Sequence, residues 1–188
     1  AQDAGVDAVV AEGFEAGGHN GREETTTLCL IPSVREAIDI PLIAAGGIGS
    51  GKAMLAAMIL GADGVQIGSR FLASYESSAH IDFKNRVLQA EEGETKLTLK
   101  ELTPVRLLDN AFSKEIEAIY ERKGTTEALA AHLGRGRAKK GMFEGDLVNG
   151  ELEVGQVSSM IKEIKPASDI VKELMEEYHR ALTAKTLL

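Results

Sequence analysis

Pro41-Leu42-Ile43-Ala44-Ala45-Gly46-Gly47-Ile48-Gly49-Ser50-Gly51 decides how the rest of this chain is read. The apolar run after Pro41 is too short for a helix and suits a strand buried on both faces. It enters a glycine cluster, and Lys52 to Leu60 then reads as a helix, with Ser50 as N-cap and Gly61 just past its end. A strand, a bare-backbone turn and a helix N-terminus suit an anion such as phosphate, because exposed N–H groups and the helix dipole both favour negative charge. The same pattern also serves as a plain tight turn in a parallel sheet, and the stretch alone does not separate the two. Two familiar phosphate loops are excluded. Gly46 to Lys52 fits GxxxxGK, but Ala53 stands where a P-loop needs Ser or Thr. The dinucleotide fingerprint fails by one residue of spacing and lacks the acidic residue about 20 positions on.

The units on either side repeat this pattern. Upstream, Val6 to Glu12 reads as a buried strand ending in Gly13-Phe14-Glu15-Ala16-Gly17-Gly18-His19-Asn20-Gly21. Downstream, Gly61-Ala62-Asp63-Gly64 leads into the strand Val65-Gln66-Ile67 and then Gly68-Ser69-Arg70. Strands alternating with helices through short loops imply a parallel sheet with right-handed crossovers. Glycines at the C-terminal strand ends favour part of a (β/α)₈ barrel, where phosphate sites lie in the last two βα loops. His19 adds a group titrating near neutrality to one such loop, or is an incidental loop histidine. The chain starts at Ala1 as though in mid-fold, which suggests sequence missing upstream.

Other segments read as follows. Pro32 and Ser33 open a short helix over Val34 to Ile38, and Ser77 to Ala90 forms a long one. Lys96 to Leu102 is an exposed strand that Pro104 to Leu108 continues, and short helices run from there to about Ser159. Arg135, Arg137, Lys139 and Lys140 form a solvated basic face. Gly150-Glu151-Leu152-Glu153-Val154-Gly155-Gln156 marks turns. Ser168 caps a helix from Asp169 to Ala184 whose stripe of Ile170, Val171, Leu174, Met175, Tyr178 and Leu182 is core.

Bulk properties narrow the function. The 188 residues are 44% hydrophobic and 27% charged, with a formal charge of −8, which argues against nucleic acid as a general partner. There is no apolar run of membrane-spanning length and no signal-peptide start. A lone cysteine, Cys29, between Leu28 and Leu30, reads as a buried apolar residue in a reducing cytoplasmic compartment. No metal site is expected.

Taken together, Ala11-Glu12-Gly13-Phe14-Glu15-Ala16-Gly17-Gly18-His19, Ala44-Ala45-Gly46-Gly47-Ile48 and Val65-Gln66-Ile67-Gly68-Ser69-Arg70-Phe71 resemble the nitronate monooxygenase family. That family was formerly called 2-nitropropane dioxygenase and is related to flavin-dependent enoyl-ACP reductase II. Gly155-Gln156-Val157 and Ile161 to Pro166 fit the same pattern. The resemblance implies an α/β fold: the last three βα units of an FMN-binding TIM-type barrel over residues 1–95, with about five units absent upstream. A small, mostly helical domain over 96–160 and a C-terminal segment over 161–188 packing back on the barrel would follow. It places Glu12, Gly17 and Gly18 near the flavin, Gly46, Gly47, Gln66, Ile67, Gly68 and Ser69 on its ribityl chain and phosphate, and His19 as the catalytic residue. The implied reaction is oxidation of alkyl nitronates with O2 to carbonyl compounds and nitrite, and a homodimer is one assembly to test. Glu12 stands where many of the monooxygenases carry Gln, and Ser69 where Thr is usual. The Glu resembles the reductase branch, so an NAD(P)H-dependent enoyl-thioester reductase, or an inactive barrel fragment, are the alternatives.

Overall fold

The computed structural model describes residues 1–185. Three short strands, β1 (Val9–Glu12), β3 (Leu42–Ala45) and β4 (Gly64–Gln66), form a parallel sheet in the order β1-β3-β4. Its register aligns Glu12 with Ala45 and Ala45 with Gln66, so all three C-terminal ends finish level. Helix α1 (Thr27–Ala37) connects β1 to β3 and packs on both strands, while α2 (Gly51–Ile59) connects β3 to β4. Ile31, Leu42, Ala44, Ile48 and Ala57 form the core between sheet and helices. The chain is thus α/β, with parallel crossovers as the strand–helix alternation implies. Ser50 caps α2 by accepting from the Ala53 N–H at 3.1 Å, and Gly61 follows the helix at φ 113°.

A second, antiparallel sheet of order β2-β6-β5 joins β2 (Gly18–His19), β6 (Val105–Leu108) and β5 (Thr95–Thr98). Here the expected single strand through Leu102 and Pro104 is instead a hairpin, with Thr95 opposite Leu108. The chain reverses at Leu99, which takes a φ of 55°, and the Leu102 N–H donates back to the Leu99 carbonyl. One face of this sheet packs Val105 and Leu107 against α5 (Ala111–Glu121) and α6 (Thr126–Leu133). The other contributes Leu108 to a core with Phe83, Val87, Leu152, Val154 and Ile161.

Four further expectations are corrected. Helix α1 begins at Thr27 and carries Pro32 in its interior. The ring removes only the N–H that would reach Leu28, while the Ser33 hydroxyl donates to the Cys29 carbonyl at 2.9 Å. Cys29 is exposed, because the buried edge of α1 runs through Thr27 and Ile31 and leaves Cys29 on the far side. The long helix shrinks to α4 (Ile81–Leu88): Ser74 and Ser77 hydroxyls accept N–H groups of Ser77 and Ala79, holding turns, and His80 Nδ1 caps the helix. Arg137 is not simply solvated, since its guanidinium donates to the carbonyls of His132, Leu133 and Asn149 and lies over the Phe112 ring. A four-residue helix α3 (Ser69–Leu72), a π-turn at Lys139–Phe143 and a 3-10 turn at Gln156–Met160 complete the middle of the chain.

The last helix, α7 (Ala167–Lys185), starts before Ser168, directly after Pro166. Ile170 and Leu174 are buried, Tyr178 is half-buried, and Val171, Met175 and Leu182 are exposed, so only two of the six residues in the apolar stripe are core. Helix α7 packs along α2 at very close range. A Cβ on Gly51 would lie 2.2 Å from the Leu174 carbonyl oxygen and 2.3 Å from the Tyr178 nitrogen. Both are backbone atoms and cannot swing aside. Gly51→Ala is therefore expected to destabilise the fold by about 1–3 kcal/mol, measured by urea unfolding, and unchanged stability would show that α7 is free to move off α2.

Candidate active site

The level ends of β1, β3 and β4 open into a cavity of about 490 Å³, a size typical of small-molecule sites. Glu12, Gly17, Gly46, Gly47, Gln66, Ile67, Gly68 and Ser69 line it, so eight of the ten residues expected from sequence share one cavity. The glycines form a bare cradle. Gly46 and Gly47 have φ of 86° and 69°, and a Cβ on Gly46 would lie 2.6 Å from the Gly13 carbonyl oxygen. A Cβ on Gly68 would meet open space, so a ligand can approach its backbone directly. Ser69 Oγ accepts the Gly155 N–H at 2.9 Å, which leaves the hydroxyl proton available to an anion in the cavity.

The N-terminus of α2 plays a smaller part than its sequence suggests. Its Gly51 N–H donates to Glu177 of α7 at 2.8 Å, and Ser50 takes the Ala53 N–H, so protein groups already occupy two of the first-turn N–H groups. The cradle for an anion is built from the strand-end glycines and Ser69.

Gly18 and His19 lie elsewhere. His19 is exposed on β2 and lines a neighbouring cavity of about 300 Å³ with Leu99, Leu102, Val105, Leu133, Arg137 and Glu151. Glu153 lines both cavities and forms the wall between them. Gly18, at φ 76°, has its own reason to lack a side chain, since a Cβ there would lie 2.7 Å from Glu153 Oε2.

Sequence reasoning missed several residues of this site. Glu15 lines the first cavity and takes the Thr27 N–H at 2.9 Å and the Thr27 hydroxyl at 3.0 Å, holding the glycine loop to the start of α1. Arg106, almost fully buried on β6, donates to the Phe14 carbonyl at 2.8 Å and stacks on the Phe14 ring. Burial pulls the Arg106 guanidinium below its ordinary range. Val157 closes the cavity beside Gly49. Only Glu153 had a local signal: Glu151-Leu152-Glu153-Val154 alternates polar and apolar as a strand does.

Partial burial pushes the carboxyls of Glu12 and Glu153 upward, and the charge of His19 pulls Glu153 back down. Glu151 is pushed up to about 6, by burial first and by the Glu153 charge second. A carboxyl whose folded value exceeds its unfolded one holds its proton more tightly in the folded state. Stability therefore falls as pH rises from the ordinary value of 4.5 through about 6. Glu151→Gln removes that loss, and its stability advantage over the wild type is expected to grow across this window to about 1–2 kcal/mol. Denaturant titrations at several pH values check this, and a pH-independent difference would refute it.

The nitronate monooxygenase family profile matches residues 1–177, and the chain belongs to that family. A Staphylococcus saprophyticus protein named "Probable nitronate monooxygenase" is 41% identical over 122 residues, covering 59% of this chain and 34% of that protein. FabK from Thermotoga maritima superposes with a TM-score of 0.89 at 38% identity, over 99% of this chain and 58% of the other. A nitroalkane oxidase from Streptomyces ansochromogenes gives 0.78 at 35% identity, over 97% and 55%. The chain spans between about a third and about half the length of the curated relatives it matches. The family is one of oxidoreductases. Among the described residues no helix is long and apolar enough to cross a membrane, and no cluster of His, Cys, Asp and Glu could hold a metal.

Proposed function

We propose that this chain carries the FMN-binding part of a nitronate monooxygenase, which oxidises alkyl nitronates with O2 to carbonyl compounds and nitrite. The observation that carries the reading is the glycine cradle of Gly46, Gly47 and Gly68, with the Ser69 hydroxyl, at the level ends of three parallel strands. The residues fit the group: bare backbone gives close approach, and a hydroxyl donor suits a phosphate. Residues 1–95 then supply the last three units of a (β/α)₈ barrel, 96–160 a smaller helical domain, and 161–188, of which 186–188 lie outside the described residues, the C-terminal segment whose helix α7 returns to α2. When bound, FMN supplies electron transfer to oxygen.

In this reading Gly46, Gly47, Gln66, Ile67, Gly68 and Ser69 hold the ribityl phosphate, and Glu12 and Gly17 lie toward the ring, while Gly18, which lies outside the cavity, makes no contact with it. His19 orients the nitronate anion from the adjoining cavity. For a neutral nitroalkane, its imidazole accepts the proton from the carbon beside the nitro group. The enzyme would work in the cytoplasm, with a homodimer as the assembly to test.

The greater overlap with FabK than with the nitroalkane oxidase, together with Glu12, favours a second reading as an NAD(P)H-dependent enoyl-thioester reductase at the same site. An anaerobic visible spectrum of the FMN-reconstituted protein separates the two. Bleaching by an alkyl nitronate and not by NADH supports the monooxygenase, whereas bleaching by NADH supports the reductase. Failure of the 188-residue chain to take up FMN supports the third alternative, an inactive barrel fragment.

A further inference from the structure

The ladder around β6 brings together groups far apart in sequence. Val105 pairs with His19 and Arg106 with Gly18, and along the same edge Leu107 forms an antiparallel bridge with Glu153. The Leu108 N–H also donates to the Leu152 carbonyl at 3.0 Å. Directly opposed residues in an antiparallel ladder carry their side chains on the same face, and positions two apart along a strand share a face. Val105 and Leu107 therefore place His19 and Glu153 on one face, about 7 Å apart along the strand direction. Glu151 shares that face by the same alternation, while Leu152 and Val154 turn into the core behind it. The cavity linings agree, since His19, Glu151 and Glu153 all border the smaller cavity.

We propose that Glu153 is a positioning residue for His19: its carboxylate, in the wall between the two cavities, turns the imidazole toward the glycine cradle and steadies its protonated form. This rests on the reading of His19 as the proton-handling group. The other charged groups facing His19 are Glu151, which acts in the same sense, and Arg137, which opposes it. Arg137 is held by three carbonyls and cannot swing onto the imidazole without breaking them. Arg106 points to the opposite face, at Phe14, and Arg22 is engaged with the carbonyls of Lys100 and Leu102. The bare Gly18 leaves room for the Glu153 carboxylate beside the His19 backbone. The direction of the electrostatics supports the geometry, since the charge of His19 pulls both glutamates downward.

The test is an NMR titration of the histidine C2 protons in the chain as it stands, with the His19 signal assigned by its loss in His19→Asn. Glu153→Gln is expected to lower the His19 midpoint by about half to one pH unit, and Glu153→Asp to restore most of the difference. In the FMN-reconstituted enzyme, the limb of kcat/KM that follows His19 should move by the same amount. An unmoved His19 midpoint in folded Glu153→Gln overturns the proposal. Should that variant lack a dispersed spectrum, Glu151→Gln on the same face must shift the midpoint in the same direction, and no shift there is equally fatal. A shifted midpoint in a protein that turns over no nitronate would instead strike the functional reading and leave the Glu153–His19 coupling standing.

Discussion

Gly47→Val is expected to give a folded but colourless protein that no longer takes up FMN. The position has a φ of 69°, where a β-branched residue is a steric outlier. Holding it there costs on the order of 1–3 kcal/mol. The added Cβ would lie 3.2 Å from Glu15 Cβ, and Glu15 is tied to Thr27 and cannot withdraw freely. The remaining direction for the methyl groups is the cavity itself. Strain and lost volume together should weaken FMN binding by roughly a hundredfold or more, about 2.7 kcal/mol. Gly47→Ala, smaller and unbranched, should lie between the two. Titration of FMN fluorescence against each variant measures this directly. Unchanged affinity in Gly47→Val would remove Gly47 from the cofactor site.

His19→Asn should behave in the opposite way, keeping the yellow band and losing turnover. His19 does not line the glycine cavity, so its replacement leaves the cradle intact. Asparagine retains hydrogen bonding but cannot take up a proton near neutrality. Loss of a general base typically lowers rates by about 10²–10⁴-fold. The loss should be larger with neutral nitroalkanes than with preformed nitronates, because only the former require proton removal. Oxygen uptake with each substrate form gives the ratio. Equal losses would mean that His19 only orients the anion, and a colourless variant would place it in the cofactor site.

The parallel sheet was readable from sequence because its strands are short apolar runs followed by glycine, although only β3 is buried along most of its length and Val10 of β1 is exposed. The cavity wall followed, since Glu12, Gly46, Gly47, Gln66 and Ser69 stand at or just beyond those strand ends. Groups recruited from distant segments were not readable. Arg106 looks like a surface residue on a strand until the Phe14 carbonyl, 92 positions away, is placed against it. The hairpin was hidden because part of its pairing partner is the two-residue strand Gly18–His19, too short to show a period. Pro32 reads as the opening of a short helix because its missing N–H is best tolerated in the first turn, which hid its place inside α1. Nothing local announces that the Leu28 carbonyl can do without that donor.

The end of the parallel sheet opposite the cavity is tied separately. Arg35 pairs with Asp63 at 3.1 Å and donates to the carbonyls of Ile38 and Ile40, while Asp63 accepts the Leu42 N–H at 2.9 Å. This knot fastens the end of α1, the start of β3 and the turn before β4 at once. It lies a full strand length from Gly47 and Gly68 and shares no partner with them. Substitutions at the two ends should accordingly add rather than interact, to within about 0.5 kcal/mol. The cradle end can therefore accept new residues, and with them new ligands, while the knot end goes on holding strands and helices in place. A fold wired this way can change its chemistry by drift at one rim without renegotiating its architecture at the other.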